Sequence, residues 1–174
     1  MKEIDAIVYK TNTGSTMAYA IYLSHAIGVE MYQLEESKKQ LPKGAKIIYM
    51  GWVMANDVKG YSAAAKMYDI QAVCAVGMSK TGTNGENVRK ATHIPDEIPL
   101  FTLQGNFNIK RLHGLYRAMM QVMAKGEIEK LEAKAVRTAE EEDFLQMLHG
   151  GERVSADNLA AVISWQRGDT NENK

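Results

Sequence analysis

The sequence lacks the residues and segments that mark secreted and membrane-spanning proteins. Its only cysteine is Cys74, so the chain can form no internal disulfide, which is typical of a protein in a reducing compartment. No apolar run approaches the length of a membrane-spanning helix, which needs about 20 residues. Lys2, Glu3 and Asp5 open the chain with no long apolar run behind them, so we expect no signal peptide. These absences predict a cytoplasmic protein without an integral membrane segment.

An excess of one charge is also missing. Lys plus Arg and Asp plus Glu both number 21, and a nucleic-acid binder usually shows a basic excess. The four histidines have no ligand spacing, so we expect no metal site, and Cys74 lies within an apolar run typical of a core strand. With 174 residues, 45% of them hydrophobic, the chain can form one domain with a sizeable core.

Several familiar phosphate-binding patterns are absent as well. The chain contains no G-x-x-x-x-G-K-[ST] motif, and no G-x-G-x-x-G follows the first apolar run. A receiver domain would need an acidic cluster after the first strand, and a low-molecular-weight phosphatase would need Cys and Arg in one loop. Neither arrangement occurs near the first apolar run. Triphosphatase, dinucleotide-binding, receiver and phosphatase functions are therefore disfavoured.

The stretch Thr11–Thr16 is the most informative one that is present. It reads Thr-Asn-Thr-Gly-Ser-Thr and separates an apolar run, Ile4 to Tyr9, from an apolar-periodic run that ends at Gly28. A strand, a tight turn and a helix start form a common phosphate site, because the first helical N–H groups have no partner within the helix. Four hydroxyls can donate to phosphate oxygens, and only Lys10 adjoins the stretch. The alternative is an ordinary helix-capping turn, which needs only one hydroxyl.

Five short apolar runs alternate with helical segments and predict a parallel α/β sheet covered on both faces. The runs are Ile4–Tyr9, Val29–Leu34, Ala45–Val53, Ile70–Met78 and Pro99–Leu103.

The last third of the chain reads as helical. One helix is expected to end at Gly126, a second to open with a capping box at Thr138–Glu141, and a third to start at Ser155. We therefore predict a single domain over 1–174, made of a sheet and its crossover helices (1–125), a helical C-terminal extension (126–168) and a polar tail (169–174).

Thr11–Thr16 resembles the phosphate loop of the flavodoxins, written T/S-x-T-G-x-T. The resemblance implies a flavodoxin-like, doubly wound five-stranded parallel sheet of order 2-1-3-4-5. It also implies one noncovalently bound FMN at the carboxyl ends of the first and third strands. The residues implied to hold the phosphate are Thr11, Asn12, Thr13, Gly14, Ser15 and Thr16.

Two further loops are implied to line the flavin ring. Trp52, Val53 and Met54 belong to the stretch Gly51–Asn56, which we expect to form a loop after the third strand. Trp52 is the candidate for stacking on the ring, although it can equally be a core tryptophan. The second loop follows the fourth strand and supplies backbone amides, and Lys80 can place a positive charge near the pyrimidine edge. The residues implied there are Met78, Ser79, Lys80, Thr81 and Gly82.

The segment Gln104–Arg111 resembles the menaquinone-dependent protoporphyrinogen oxidases, a flavodoxin-like family. Phe107, Lys110 and Arg111 are the candidates to contact a planar, anionic or quinone-type substrate, and the alternative is a basic solvent loop. Two functions follow. The first, slightly favoured, is a flavin-dependent oxidoreductase acting on a small molecule or a quinone. The second is a flavodoxin-type carrier of electrons between redox proteins. In both the flavin performs the chemistry, so no catalytic side chain is expected.

Overall fold

A computed structural model describes residues 1–112 and 114–169, and the predicted tail at 169–174 lies almost wholly outside the described residues. The protein is an α/β structure built on a parallel sheet. Short β-branched and apolar segments form the strands, as their propensity favours. The strands are β1 Ala6–Lys10, β2 Met31–Gln33, β3 Lys46–Met54, β4 Asp57–Val58, β5 Asp69–Gly77 and β6 Leu100–Gln104.

The main path is 2-1-3-5-6 and not the predicted 2-1-3-4-5, although the five predicted strands themselves lie in the predicted order. Hydrogen bonds run in the order β2-β1-β3-β5-β6, and β4 pairs only with β3. All pairs along the main path are parallel, whereas Val53 and Met54 of β3 pair antiparallel with Val58 and Asp57 of β4. The difference arises from β4, a two-residue strand that the sequence analysis did not anticipate.

Helices cover both faces of the sheet. The helices are α1 Ser15–Ile27, α2 Leu34–Ser37, α3 Tyr61–Ala65, α4 Gly85–Thr92, α5 Gly114–Glu132, α6 Ala139–Leu148 and α7 Ala160–Arg167, with 3-10 turns at Ile109–Arg111 and Ala156–Leu159. Side chains alternate along each strand, so that Val8 and Tyr49 lie in one core layer and Ile7 and Ile48 in the other. Helices α2, α3 and α4 supply the first layer, and α1 and α7 supply the second.

The chain divides into two compact units. The first contains 1–105 and the segment from Val154 onward, and the second contains 106–153. In the first unit, Leu159 and Val162 pack with Leu23 of α1 in the second core layer. The chain therefore leaves the sheet unit after β6 and returns to it with its last helix. The division suggested at 125/126 does not coincide with a boundary between units, because Lys125 and Gly126 lie inside α5.

The prediction that a helix ends at Gly126 was wrong. Helix α5 continues to Glu132. A glycine inside a helix costs about 1 kcal/mol relative to alanine, which strong helix formers on both sides can offset. Lys125 pairs with Glu129 and Glu127 pairs with Lys130 across the following turn, which favours continuation.

Local capping signals were predicted correctly. Thr138 Oγ1 accepts a hydrogen bond from the N–H of Glu141, and Glu141 Oε2 accepts one from the N–H of Thr138, which forms the capping box of α6. Ser155 Oγ accepts a hydrogen bond from the N–H of Asp157 at the start of the last helical segment. Gly28 ends α1 with φ 70°, a left-handed conformation that glycine adopts without strain.

Candidate functional site

The turn between β1 and α1 places a ring of polar groups at the start of a helix. Thr11 Oγ1 accepts a hydrogen bond from the N–H of Gly14 at 3.2 Å, which closes the turn. Gly14 has φ 106°, and this left-handed conformation explains why glycine occupies the N-cap position. The N-cap residue, Gly14, has no side chain with which to cap α1. The helix start therefore offers backbone N–H groups and the positive end of its dipole to an anion.

The hydroxyls of this turn differ in exposure. Thr11, Thr13 and Ser15 are half-buried, and Asn12 is exposed. Thr16 is 1% exposed, so its side chain packs within the protein. A phosphate that approaches from solvent would therefore meet the hydroxyls of Thr11, Thr13 and Ser15 before that of Thr16.

Lys10, which adjoins the turn in sequence, is already paired. Lys10 Nζ donates to Glu35 Oε1 and forms an ion pair with it. This hydrogen bond from Lys10 is the main cause that lowers the pKa of the Glu35 carboxyl below its ordinary value. Lys10 therefore already has a carboxylate partner, and the turn itself contributes neutral donors.

The stretch after Gly51 is not the loop that the sequence analysis predicted. Strand β3 continues through Trp52, Val53 and Met54 and turns tightly into β4. The two turn residues, Ala55 and Asn56, both have positive φ, 51° and 63°, as a two-residue hairpin of type I′ requires.

Packing around the hairpin explains why a glycine occupies position 51 within the strand. A Cβ at Gly51 would lie 2.5 Å from Val58 Cγ1 and 2.9 Å from the carbonyl oxygen of Lys59. The absence of a side chain at Gly51 therefore lets β4 pack against β3. The same glycine had suggested a loop in the sequence. Trp52, Val53 and Met54 are half-buried at this edge.

The loop after β5 is fastened to β6. The N–H of Gly82 donates to the carbonyl of Thr102 at 3.0 Å, and Thr81 Oγ1 accepts from the N–H of Gln104 at 3.0 Å. The backbone N–H groups of Ser79, Lys80 and Thr81 take part in no hydrogen bond with another described residue. Met78 is half-buried, and Ser79 and Lys80 are exposed. Three amides of the loop therefore remain available to a ligand.

The strand register brings the three segments to one edge. Lys10 at the end of β1 pairs with Gly51 of β3, and Trp52 pairs with Val76 of β5. Parallel strands end at the same edge, so the turn after β1, the β3–β4 hairpin and the loop after β5 all lie at the carboxyl edge. Strands β1 and β3 are neighbours where the strand order reverses, which is where ligands bind in open α/β sheets.

Sequence reasoning missed the residues that fasten α1 to this edge. The buried Tyr19 hydroxyl donates to the carbonyl of Gln104 at 2.6 Å and accepts from the Asn158 amide at 2.7 Å. A Cβ at Gly105 would lie 3.2 Å from Ser15 Cβ. These contacts join positions far apart in the chain, so no local pattern indicated them.

The three predicted substrate residues belong to the other unit, 106–153. Phe107 is buried, whereas Lys110 and Arg111 are exposed on the 3-10 turn Ile109–Arg111. The structure thus keeps the two cations adjacent and accessible to an anion.

The donor set at the first turn fits a phosphate monoester, because it combines hydroxyls with a helix start and a glycine N-cap that leaves the backbone accessible. Among residues 1–112 and 114–169, no group of three or more His, Cys, Asp or Glu side chains could hold a metal ion. Within the same residues, no helix combines the length and apolar character that crossing a membrane requires. Comparisons with models of protein families, with characterised proteins and with solved structures found no match.

Proposed function

We propose that the protein is a flavodoxin-like redox protein that binds one FMN at the carboxyl edge of its sheet. The observation that carries the proposal is the turn Thr11–Gly14, which leads from β1 into the start of α1, where glycine is the N-cap, beside the point where strand order reverses. A hydroxyl-rich turn at that position suits a phosphate that stays bound as part of a cofactor.

In this proposal each segment has one task. Thr11, Asn12, Thr13, Gly14, Ser15 and Thr16 surround the phosphate with hydroxyl and backbone donors. Trp52, Val53 and Met54 contact one side of the ring, while Met78, Ser79, Lys80, Thr81 and Gly82 contact its pyrimidine edge. The flavin supplies the hydride- and electron-accepting chemistry when it is bound.

An oxidoreductase is favoured slightly over an electron carrier. The chain has no acidic excess with which to steer a basic redox partner. The loop after β5 contains no tyrosine to cover the ring, which suits access by a small substrate. Lys110 and Arg111 would bind carboxylate or carbonyl oxygens of a planar or quinone-type substrate, and arginine does so with two parallel hydrogen bonds.

The binding site is tested by titrating the apoprotein with FMN and with riboflavin while following flavin fluorescence. Riboflavin lacks the phosphate and is expected to bind much more weakly. Thr13→Ala should weaken FMN binding by about 1–2 kcal/mol and leave riboflavin binding unchanged. Ser24→Ala is the matched control, because its hydroxyl donates to the carbonyl of Val29 at the other end of α1. Equal affinities for FMN and riboflavin would contradict the site.

Steady-state kinetics separates the two redox functions. The FMN-loaded protein is assayed with NAD(P)H and a quinone acceptor, and with a second redox protein. An oxidoreductase should turn over the quinone, and the pair Lys110→Gln and Arg111→Gln should raise KM. If quinone turnover is absent while single electrons pass between proteins, the carrier function is correct.

A further inference from the structure

The peptide group between Gln104 and Gly105, at the end of β6, is held at both of its polar atoms. Its carbonyl oxygen accepts a hydrogen bond from the Tyr19 hydroxyl at 2.6 Å, and its N–H donates to the carbonyl of Gly77 at 2.7 Å. Because a peptide group is planar, these two bonds fix its orientation as well as its position. This group therefore links α1 to the end of β5.

The residues of this peptide group contact two segments of the candidate site. A Cβ at Gly105 would lie 3.2 Å from Ser15 Cβ, at the start of α1. The Gln104 N–H donates to Thr81 Oγ1 at 3.0 Å, and the Gln104 side-chain amide donates to the Met78 carbonyl at 3.4 Å. A displacement of Gln104 would therefore move the loop after β5 relative to the start of α1.

The Tyr19 hydroxyl is held in turn by a residue far from it in the chain. Asn158, in the 3-10 turn Ala156–Leu159, donates its side-chain amide to the hydroxyl oxygen at 2.7 Å. A tyrosine hydroxyl has a single proton, and because Asn158 acts as the donor, that proton is directed at the Gln104 carbonyl. Tyr19 is fully buried, so bulk water does not replace a hydrogen bond that is lost there.

We infer that Asn158 is a positioning residue of the candidate site. By holding the Tyr19 hydroxyl it keeps the Gln104–Gly105 peptide group in place, and with it the loop after β5, whose N–H groups are available to a ligand. The last segment of the chain thus contributes to binding through Tyr19. The inference rests on the proposed function for its ligand, but the hydrogen bonds that carry it can be followed without one.

A purely structural role for the last segment predicts a different result. Leu159 packs in the second core layer, so a weakened segment would destabilise the first unit as a whole. Gln166 separates the two roles, because its buried side-chain amide donates to the Lys2 carbonyl at 3.2 Å. Gln166→Ala therefore removes a hydrogen bond of the same kind from the same segment and leaves the bonds of Tyr19 in place.

The test combines hydrogen exchange in the apoprotein with FMN titration. Tyr19→Phe removes the bond to Gln104. Asn158→Asp should act alike, because an ionised carboxylate accepts the hydroxyl proton that the Gln104 carbonyl otherwise accepts. In both variants exchange at the N–H groups of Gly82, Gln104 and Gly105 should accelerate about tenfold, and the FMN dissociation constant should rise about three- to tenfold.

A double variant shows whether Asn158 acts through Tyr19. Asn158→Ala leaves the bond from Tyr19 to Gln104 possible and should raise the FMN dissociation constant about threefold. In Tyr19→Phe/Asn158→Ala the two losses should not add, because the hydroxyl through which Asn158 acts is gone. Gln166→Ala should bind FMN, and exchange at Gln104, as the wild type does.

Four results would overturn the inference. They are fully additive losses in the double variant, equal acceleration in Gln166→Ala, wild-type exchange at Gly82 and Gln104 in Tyr19→Phe, and faster exchange with an unchanged FMN dissociation constant. If the wild type binds no FMN, the proposed function fails, and the exchange data alone decide whether Asn158 holds the loop. Circular dichroism of each variant verifies that it is folded.

Discussion

The two units of this protein bury their apolar side chains to very different extents. Among the described residues, the largest fully buried side chains lie in the sheet unit, with Met147 as the single representative of 106–153. Among the same residues, exposed large apolar side chains are more frequent for its length in 106–153, which has Leu115, Met119, Val122, Met123 and Val136, than in the longer sheet unit, which has Met1, Met17, Ile21 and Tyr22. A sheet covered on both faces buries alternate side chains in two layers, whereas α5 buries one side only. The sheet unit therefore buries more of its large apolar side chains, and the unit 106–153 leaves more of them exposed.

This difference implies that the units contribute unequally to stability. Local unfolding starts where buried apolar contacts are few. Four measurements test the comparison, from the largest expected effect to the smallest.

The largest effect is expected in the layer between the sheet and α1. Ile48 is fully buried there, so Ile48→Ala should lower the free energy of unfolding by about 2–5 kcal/mol. Val122→Ala removes a side chain that is mostly exposed and should change it by no more than about 0.5 kcal/mol. Denaturant unfolding followed by circular dichroism measures both. Similar losses would show that the two units do not differ in this way.

Two glycines should respond in opposite directions. Gly51→Ala would push a methyl group into Val58 and the Lys59 carbonyl and should destabilise the protein by about 1–3 kcal/mol. Gly126 lies in α5 with open space around its Cβ position, so Gly126→Ala should stabilise the helix by up to about 1 kcal/mol. Thermal unfolding of the two variants decides the sign. Destabilisation by Gly126→Ala would mean that α5 needs the glycine for close packing.

The folding stability of the sheet unit should fall at alkaline pH. Burial raises the pKa of the Cys74 thiol from 9.0 to about 12, because the thiolate loses its hydration. The folded state keeps the proton that the unfolded state loses, so stability is full below about pH 9 and falls as the pH rises toward 12. At about pH 10.5 the loss from this group should be about 2 kcal/mol.

Urea unfolding of the wild type and of Cys74→Ala at several pH values measures this pH-dependent loss of stability. The variant should lose stability less steeply over the same range, because it lacks the thiol. Tyr49, whose pKa burial also raises, contributes equally to both proteins. Parallel pH profiles for the two proteins would contradict the assignment.

The smallest effect concerns the capping box of α6. Thr138→Ala removes the oxygen that accepts from the N–H of Glu141 and should cost about 1 kcal/mol. Hydrogen exchange should accelerate in α6 and remain unchanged in α1, since the two helices belong to different units. Thr138→Ser retains the hydroxyl and should restore protection. Uniform acceleration across both units would show that they unfold together.

How much was predictable from the sequence depended on the distance between the interacting residues. The turn at Thr11–Thr16, the parallel strands and the cap at Ser155 were recognised because each depends on neighbours in the chain. Strand β4 was missed, and the predicted loop from Gly51 was wrong at Trp52, Val53 and Met54, although the third apolar run already included the first two. The close contact between a Cβ at position 51 and Val58 depends on the hairpin and does not show in the local sequence. The FMN site itself stays a prediction.

The sequence by itself determined many of the elements: short apolar runs set five of the strands, and Gly28, Thr138 and Ser155 set three helix ends. Only the tertiary structure decided that α7 packs on the sheet beside α1 and that Tyr19 bonds to both Gln104 and Asn158. It also decided which large apolar side chains of α5 stay exposed to solvent. The physical reason is that hydrogen bonds and helix propensity act over a few residues. Burial, by contrast, depends on which distant segments meet, and that is settled when the whole core packs.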